Sequence, residues 1–199
     1  MAQVRDDDHI TVSIYPFSDE EVDLLMNSAQ ECVVMLATKD GWPVGVIHSF
    51  VWAEGRIWVT FSSHRHRAHA IRRDPRVSVS VSALTYRDDA PEDAPMGGIT
   101  FKGHGEFIED EAKREWMYDA LAARVQPDSE EGRKAFRALL ESPLRTVLAI
   151  TPVKKIMYNG TLSARHMAGT VDESELGDRL SSDAVLLKQE TTKRGLPDR

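Results

Sequence analysis

The sequence predicts a mainly β protein with flanking helices, a six-stranded antiparallel barrel that is closed or split. Three observations carry this. Six stretches have the apolar content or alternation of strands. The first three of them, within residues 32–62, are joined by links too short for a parallel crossover. Strands and helices also do not alternate as a βαβ series would require.

Each element follows from its residues. Residues 1–17 read as an arm with strand character in ITVSIY. Ser18 opens a helix: Glu21, three residues on, completes a capping box, and Val22, Leu25, Met26 and Ala29 share one face. Residues 32–38 are a continuous apolar strand, expected to be central and covered on both faces. Lys39-Asp40-Gly41-Trp42-Pro43 is a turn, residues 44–53 form a second strand, and Glu54-Gly55 leads tightly into a third, RIWVTFS. Residues 64–73 form a short helix that Asp74-Pro75 ends. RVSVSVSAL alternates cleanly, with Val77, Val79 and Val81 on one face and Ser78, Ser80 and Ser82 on the other. One face is core; the other meets solvent, a partner or a ligand.

Residues 86–97 are an acidic, Pro-rich loop, and a fifth strand covers about 98–108, where Gly103 and Gly105 around His104 suggest a bulge or close backbone approach. An amphipathic helix follows over 110–125, with Trp116, Leu121 and Val125 near one face; a second covers 129–141 and stops at Pro143. The last barrel strand is RTVLAITPVKKIMYN, with a break expected at Thr151-Pro152. Residues 1–159 therefore make the barrel domain, with its N-terminal arm and helix. Residues 160–199 are expected as an arm-like extension, packed on the domain or on a second subunit.

Composition narrows the function. The 199 residues suit one domain with appendages. A net charge of −7 argues against a general nucleic-acid binder. Cys32 is the only cysteine, so no intrachain disulfide forms, and its place in CVVMLAT marks a small buried hydrophobe. MAQVRDDDHI lacks the apolar region of a signal peptide, and no apolar run has membrane-spanning length. A cytoplasmic protein is expected.

The densest chemistry lies in GRIWVTFSSHRHRAHAIRRDPRVSVSVS, residues 55–82. Two apolar strands bracket hydroxyls, imidazoles and guanidiniums that strand pairing does not need. A phosphate does need them, because it takes several donors converging from a loop and a helix N-terminus. This stretch resembles the flavin-binding split-barrel proteins, the pyridoxamine 5′-phosphate oxidase-like superfamily. The matching elements are Thr60, Ser62-Ser63, His66-Arg67, the helix Ala68–Arg73 and Asp74-Pro75-Arg76-Val77, with the hairpin ATKDGWPVGVIHSFVWAEGRIW upstream. The match is good over about 33–83 and looser to about 157.

The resemblance implies a homodimer with a cofactor in each of two clefts between subunits. FMN is the commonest ligand. Some relatives use the phosphate-bearing 5-deazaflavin cofactor, and others bind haem or have lost catalysis. By the resemblance, Arg67 is the basic phosphate contact, and His66 takes the other half of a pair where relatives often carry Arg or Lys. Ser62 and Ser63 offer hydroxyls to the same phosphate, and Thr60 stands at the strand end where the family contacts flavin or phosphate. Val46, Ile47 and His48 lie on the strand facing the flavin ring, where His48 would bond the pyrimidine edge or protonate a substrate. The flavin carries the chemistry, hydride or electron transfer to a small organic acceptor, so no separate catalytic residue is assigned. Trp42, Trp52 and Trp58 are expected in the core or dimer interface, and His104 toward solvent.

Rival readings are weaker. His64, His66 and His69 have metal-like spacing, but the arginines among them repel a cation. The same arginines invite nucleic acid, against the surrounding acidity. His166 is the axial candidate if the ligand is haem.

Overall fold

Ser18 caps the first helix, α1 (Asp19–Ser28): its hydroxyl accepts from the Glu21 amide, and the Glu21 carboxylate accepts from the Ser18 amide at 2.8 Å. The protein is described here by a computed structural model covering residues 13–178 and 181–197. Residues 10–12 of the ITVSIY segment lie outside the described residues, and residues 13–15 form no strand.

Seven strands follow in one antiparallel sheet: β1 (Glu31–Ala37), β2 (Pro43–Ser49), β3 (Val51–Ala53), β4 (Arg56–Ser62), β5 (Arg76–Ser82), β6 (Gly97–Ile108) and β7 (Arg145–Asn159). Their order is β2-β1-β5-β6-β7-β4-β3. The two outermost strands are consecutive pieces of one segment, separated only by Phe50. β2 pairs with β1 (Cys32 opposite His48), while β3 pairs with β4 (Val51 opposite Trp58). Residues 43–53 thus serve both edges, and the sheet curls into a split barrel. The second strand expected over 44–53 is therefore two. The side chain of Phe50 is fully buried at the bend.

The barrel interior is filled by the inward residues of the strands, among them Cys32, Val34, Val59, Phe61, Val79 and Phe101. Leu25 and Met26 of α1 enter this core, as does Ile71 of α2 (His66–Arg73). A second core lies outside the barrel, where Trp58, Val147 and Ala149 meet Met117, Tyr118 and Leu121 of α3 (Glu111–Val125) and Leu140 of α4 (Glu130–Leu140). Trp116, expected on the buried face of α3, is 40% exposed and meets Trp58 only edge-on; Met117 and Tyr118 take the inward position.

β1 also departs from expectation. Cys32, Val34 and Leu36 are buried, but Val33 and Met35 on the other face are only half-buried, because no element among the described residues covers that side of the sheet. The valines of β5 are buried and its serines half-buried, as the alternation requires. β7 runs unbroken through Pro152. Its irregularity is a bulge: Lys102 faces Lys154 and Gly103 faces Pro152, leaving Val153 extra. A Cβ on Gly103 would stand 2.7 Å from the Thr151 carbonyl oxygen, so only glycine fits there.

Two further contacts tie the layers together. Arg124 of α3 donates from Nη2 to the carbonyls of Met26 (2.7 Å) and Ala29 (2.5 Å), and lies 4.8 Å over the Phe50 ring. Burial pushes its pKa down to about 10. Gly97 has φ +132°, and a Cβ there would lie 2.0 Å from the Tyr158 carbonyl oxygen.

Beyond 159, where the sequence suggests an arm-like extension, the described residues include two α-helices. Asn159 caps α5 (Gly160–Met167), accepting from the Leu162 amide at 3.0 Å, and Leu162 is buried. The Asn159 side-chain Nδ2 donates to the Pro16 carbonyl at 3.3 Å and to the Glu21 carboxylate at 3.1 Å, joining both ends of the barrel segment. A last helix, α6 (Ser181–Arg194), exposes Val185, Leu186 and Leu187. No helix among the described residues is long and apolar enough to cross a membrane.

Candidate functional site

The site grows from the junction of β4 and α2. Alternation along β4 sends Ile57, Val59 and Phe61 into the barrel and Trp58 and Thr60 to the opposite side. The chain then turns sharply: the Ser63 amide donates to the Leu144 carbonyl at 2.6 Å, and the Arg65 amide to the Ser62 carbonyl at 3.1 Å. Helix α2 starts without a side-chain cap and without an acidic residue in its first turn. The partial positive charge of its N-terminus is left for something else.

Arg67, in that first turn, is half-buried and lies 5.0 Å over the Phe61 ring. Its buried Nε has no hydrogen-bond partner, and no carboxylate pairs with it among the described residues. Burial, then the neighbouring Arg65 charge, lowers its pKa. His48 of β2 packs against the same ring, 5.6 Å between centroids, and is only 9% exposed. Its Nε2 is also buried and unpaired. Burial, with the Arg67 charge adding to it, pushes the imidazole down to about 4. At neutral pH the pair is therefore a neutral imidazole beside an uncompensated guanidinium, with Phe61 as a shared platform.

The other residues expected at the site divide between two faces. Val46 is two residues from His48 and shares its side of β2, whereas Ile47 points to the outer face and is 63% exposed. There it lines a groove of about 400 Å³ with Ser80, Thr100 and Tyr158. Thr60 is buried, and its hydroxyl donates to the Thr146 carbonyl at 2.8 Å, so that donor is already used. Ser62 and Ser63 are half-buried, and their hydroxyls have no partner among the described residues. His66 is exposed at the first position of α2. The structure thus brings His48 and Arg67 together on Phe61, leaves Val46 on the His48 side of β2, sets Ser62, Ser63 and His66 at the adjacent turn, and directs Thr60 and Ile47 elsewhere.

Phe61 went unread in the sequence. Its signal is its position in the alternation, two residues after Val59 and next to the basic turn. The remaining arginines of α2 do structural work. Arg72 lies 4.4 Å over Phe107 and donates to the Ser63 carbonyl at 3.4 Å; Arg73 donates to the Ala37 carbonyl at 2.9 Å. Among the described residues no group of three His, Cys, Asp or Glu side chains is placed to hold a metal ion. His166 accepts or donates at Nδ1 with the Tyr15 hydroxyl, 3.1 Å away. Trp42 is 69% exposed, Trp52 half-buried and Trp58 buried. His104 is exposed on β6.

The curled antiparallel sheet, with a basic helix start packed at its split, defines a split-barrel protein. The chain belongs to the pyridoxamine 5′-phosphate oxidase family, whose sequence model matches residues 18–158. Among solved structures, it is similar to a conserved hypothetical protein, Rv2991, from Mycobacterium tuberculosis, with 20% identity over 75% of this chain and 89% of that one, TM-score 0.61. It is similar to ChuZ of Campylobacter jejuni, with 14% identity over 72% of this chain and 56% of that one, TM-score 0.56. The haem storage protein HutZ of Vibrio cholerae is 12% identical over 71% of this chain and 95% of that one, TM-score 0.50. At these identities the likeness is one of fold. No match to the sequence is found among curated proteins.

Proposed function

We propose that this chain binds a phosphate-bearing flavin, FMN first among the candidates, and works as an oxidoreductase on a small organic substrate. One observation carries the reading. Arg67 is a half-buried cation with an orphaned Nε and no carboxylate partner among the described residues, set in the first turn of an uncapped helix. A partly buried charge with an unpaired Nε is an open place for an anion. The donor set fits a phosphate: a guanidinium, the hydroxyls of Ser62 and Ser63, and the helix N-terminus.

The bound flavin supplies hydride or electron transfer. The protein's residues do the rest. Arg67 and the 62–66 turn fix the phosphate. His48, held neutral, offers Nε2 for a hydrogen bond to the ligand, and Val46 and Phe61 give it an apolar wall. The half-covered outer face of β1 and β5 suits a second copy of the chain, and we place the working unit as a homodimer with the cofactor at the subunit interface.

The test is an absorbance spectrum of the purified protein, then titration with FMN, with the 5-deazaflavin cofactor and with haem, alongside a mass measurement in solution. Tight FMN binding by a dimer supports the reading. Preference for the deazaflavin keeps the site and changes the cofactor. Binding of haem alone, or of none of the three, removes the oxidoreductase reading.

A further inference from the structure

The turn between β4 and α2 is fixed from outside. Its sequence, Ser62-Ser63-His64-Arg65, holds no glycine or proline that would set its shape. Instead, both backbone groups of Ser63 are tied to other elements. Its amide donates to the Leu144 carbonyl at 2.6 Å, and its carbonyl accepts from Arg72 Nη1 at 3.4 Å. Arg72 is exposed in the last turn of α2, and its guanidinium covers the Phe107 ring at 4.4 Å.

The rings carry the connection further. Phe107 meets Phe61 edge-on, with centroids 6.3 Å apart and planes at 85°. Phe61 in turn seats Arg67 at 5.0 Å. Phe61 is buried in the barrel core and Phe107 packs against that core, so both rings are held by their surroundings. Four side chains thus form a row of cation, ring, ring, cation, running from Arg72 to the guanidinium proposed to hold the phosphate. They belong to α2, β6 and β4, and not to the β1–β5 face proposed to meet a second copy.

Such a row has a use in binding. A side chain or turn that must be ordered when a ligand arrives costs conformational entropy, and one already ordered costs less. The hydroxyls of Ser62 and Ser63 converge on an anion only if the backbone carrying them is set beforehand. Arginine suits this role better than lysine, because a flat guanidinium stacks on a ring and donates in its own plane at the same time.

We propose that Arg72 is a positioning residue for the cofactor phosphate: without touching the ligand, it presets the Ser62–Ser63 turn and, through Phe107 and Phe61, the seat of Arg67. The inference rests on the flavin-phosphate reading above.

The test is a fluorescence titration of the wild type, Arg72→Gln and Arg72→Lys with FMN and with riboflavin, which has the same ring system and no phosphate. Amide hydrogen exchange at Ser63 and Arg65 is measured alongside in the ligand-free chain. Arg72 is exposed, so both variants should fold. The wild type should prefer FMN. Arg72→Gln should bind FMN about tenfold more weakly and riboflavin unchanged. Its Ser63 and Arg65 amides, both hydrogen-bonded at the turn, should exchange about tenfold faster. Arg72→Lys, which keeps the charge without the flat stacking group, should fall between the two. The proposal alone is overturned if the wild type prefers FMN and Arg72→Gln binds it equally well. It is also overturned if FMN and riboflavin weaken alike, or if FMN binding weakens while the two amides exchange as before, since Arg72 would then act on the ligand directly. A wild type that binds FMN no better than riboflavin removes the phosphate reading, and this inference with it.

Discussion

Arg67 lies 5.0 Å above the ring of Phe61, and His48 packs 5.6 Å from the same ring. The platform holds a cation and a neutral base together with no acid between them. Arg67→Ala should weaken FMN binding by about 1.5–3 kcal/mol, the range for a lost charge-assisted contact. Arg67→Lys should recover part of this, since a point charge replaces a two-pronged donor. Fluorescence titration checks both, and unchanged affinity in the alanine variant would remove the phosphate from this turn.

His48 makes stability depend on pH. Its ordinary value of 6.5 falls to about 4 in the folded chain, so the unfolded chain takes up the proton first as the medium is acidified. Its contribution is complete above about pH 6.5, is lost progressively toward pH 4, and levels off below that. His48→Gln should flatten urea-unfolding stability across that window. An unaltered slope would show that the imidazole titrates normally.

Thr60→Val separates strand pairing from ligand binding. The hydroxyl is committed to the Thr146 carbonyl, so the variant should lose about 1 kcal/mol of stability. Its FMN affinity should stay as it was. A selective loss of affinity would put Thr60 back in the site.

Gly97→Ala should be among the most damaging small changes. The φ of +132° is strained for alanine, and the added carbon would sit 2.0 Å from the Tyr158 carbonyl oxygen. A loss of about 2–4 kcal/mol is expected by chemical denaturation.

Arg124→Met keeps much of the side-chain volume but leaves the Met26 and Ala29 carbonyls without their donor. Stability should fall by about 1–3 kcal/mol. The melting temperature should drop with no change in the spectrum of bound cofactor, because the hydrogen bonds of Arg124 go to Met26 and Ala29 and to none of the residues proposed to hold the cofactor.

The elements governed by local periodicity and capping were legible in the sequence. Ser18 and Glu21 announce α1, the alternating valines announce β5, and Asp74-Pro75 ends α2. What escaped depends on contacts across the sheet. The bend at Phe50 carries no Gly or Pro; it exists because the two halves of one segment find different partners. The inward turn of Met117 and Tyr118 is set by Trp58, which is distant in sequence. At the candidate site, residue types pointed to the β4–α2 turn, but adjacent residues such as Ile47 and His48 necessarily face opposite sides. Only the barrel fixes which of them meets Arg67.

The split at Phe50 also orders the assembly of the chain. Residues 31–62 contain two short-range hairpins, β1 with β2 and β3 with β4, hinged at one aromatic residue. Both can zip before either meets its distant neighbour, since Ile57 must wait for Ile150 to be at hand. Closure is then a late, long-range event, in which both margins of the sheet are delivered by one preformed unit and neither has to search for the other.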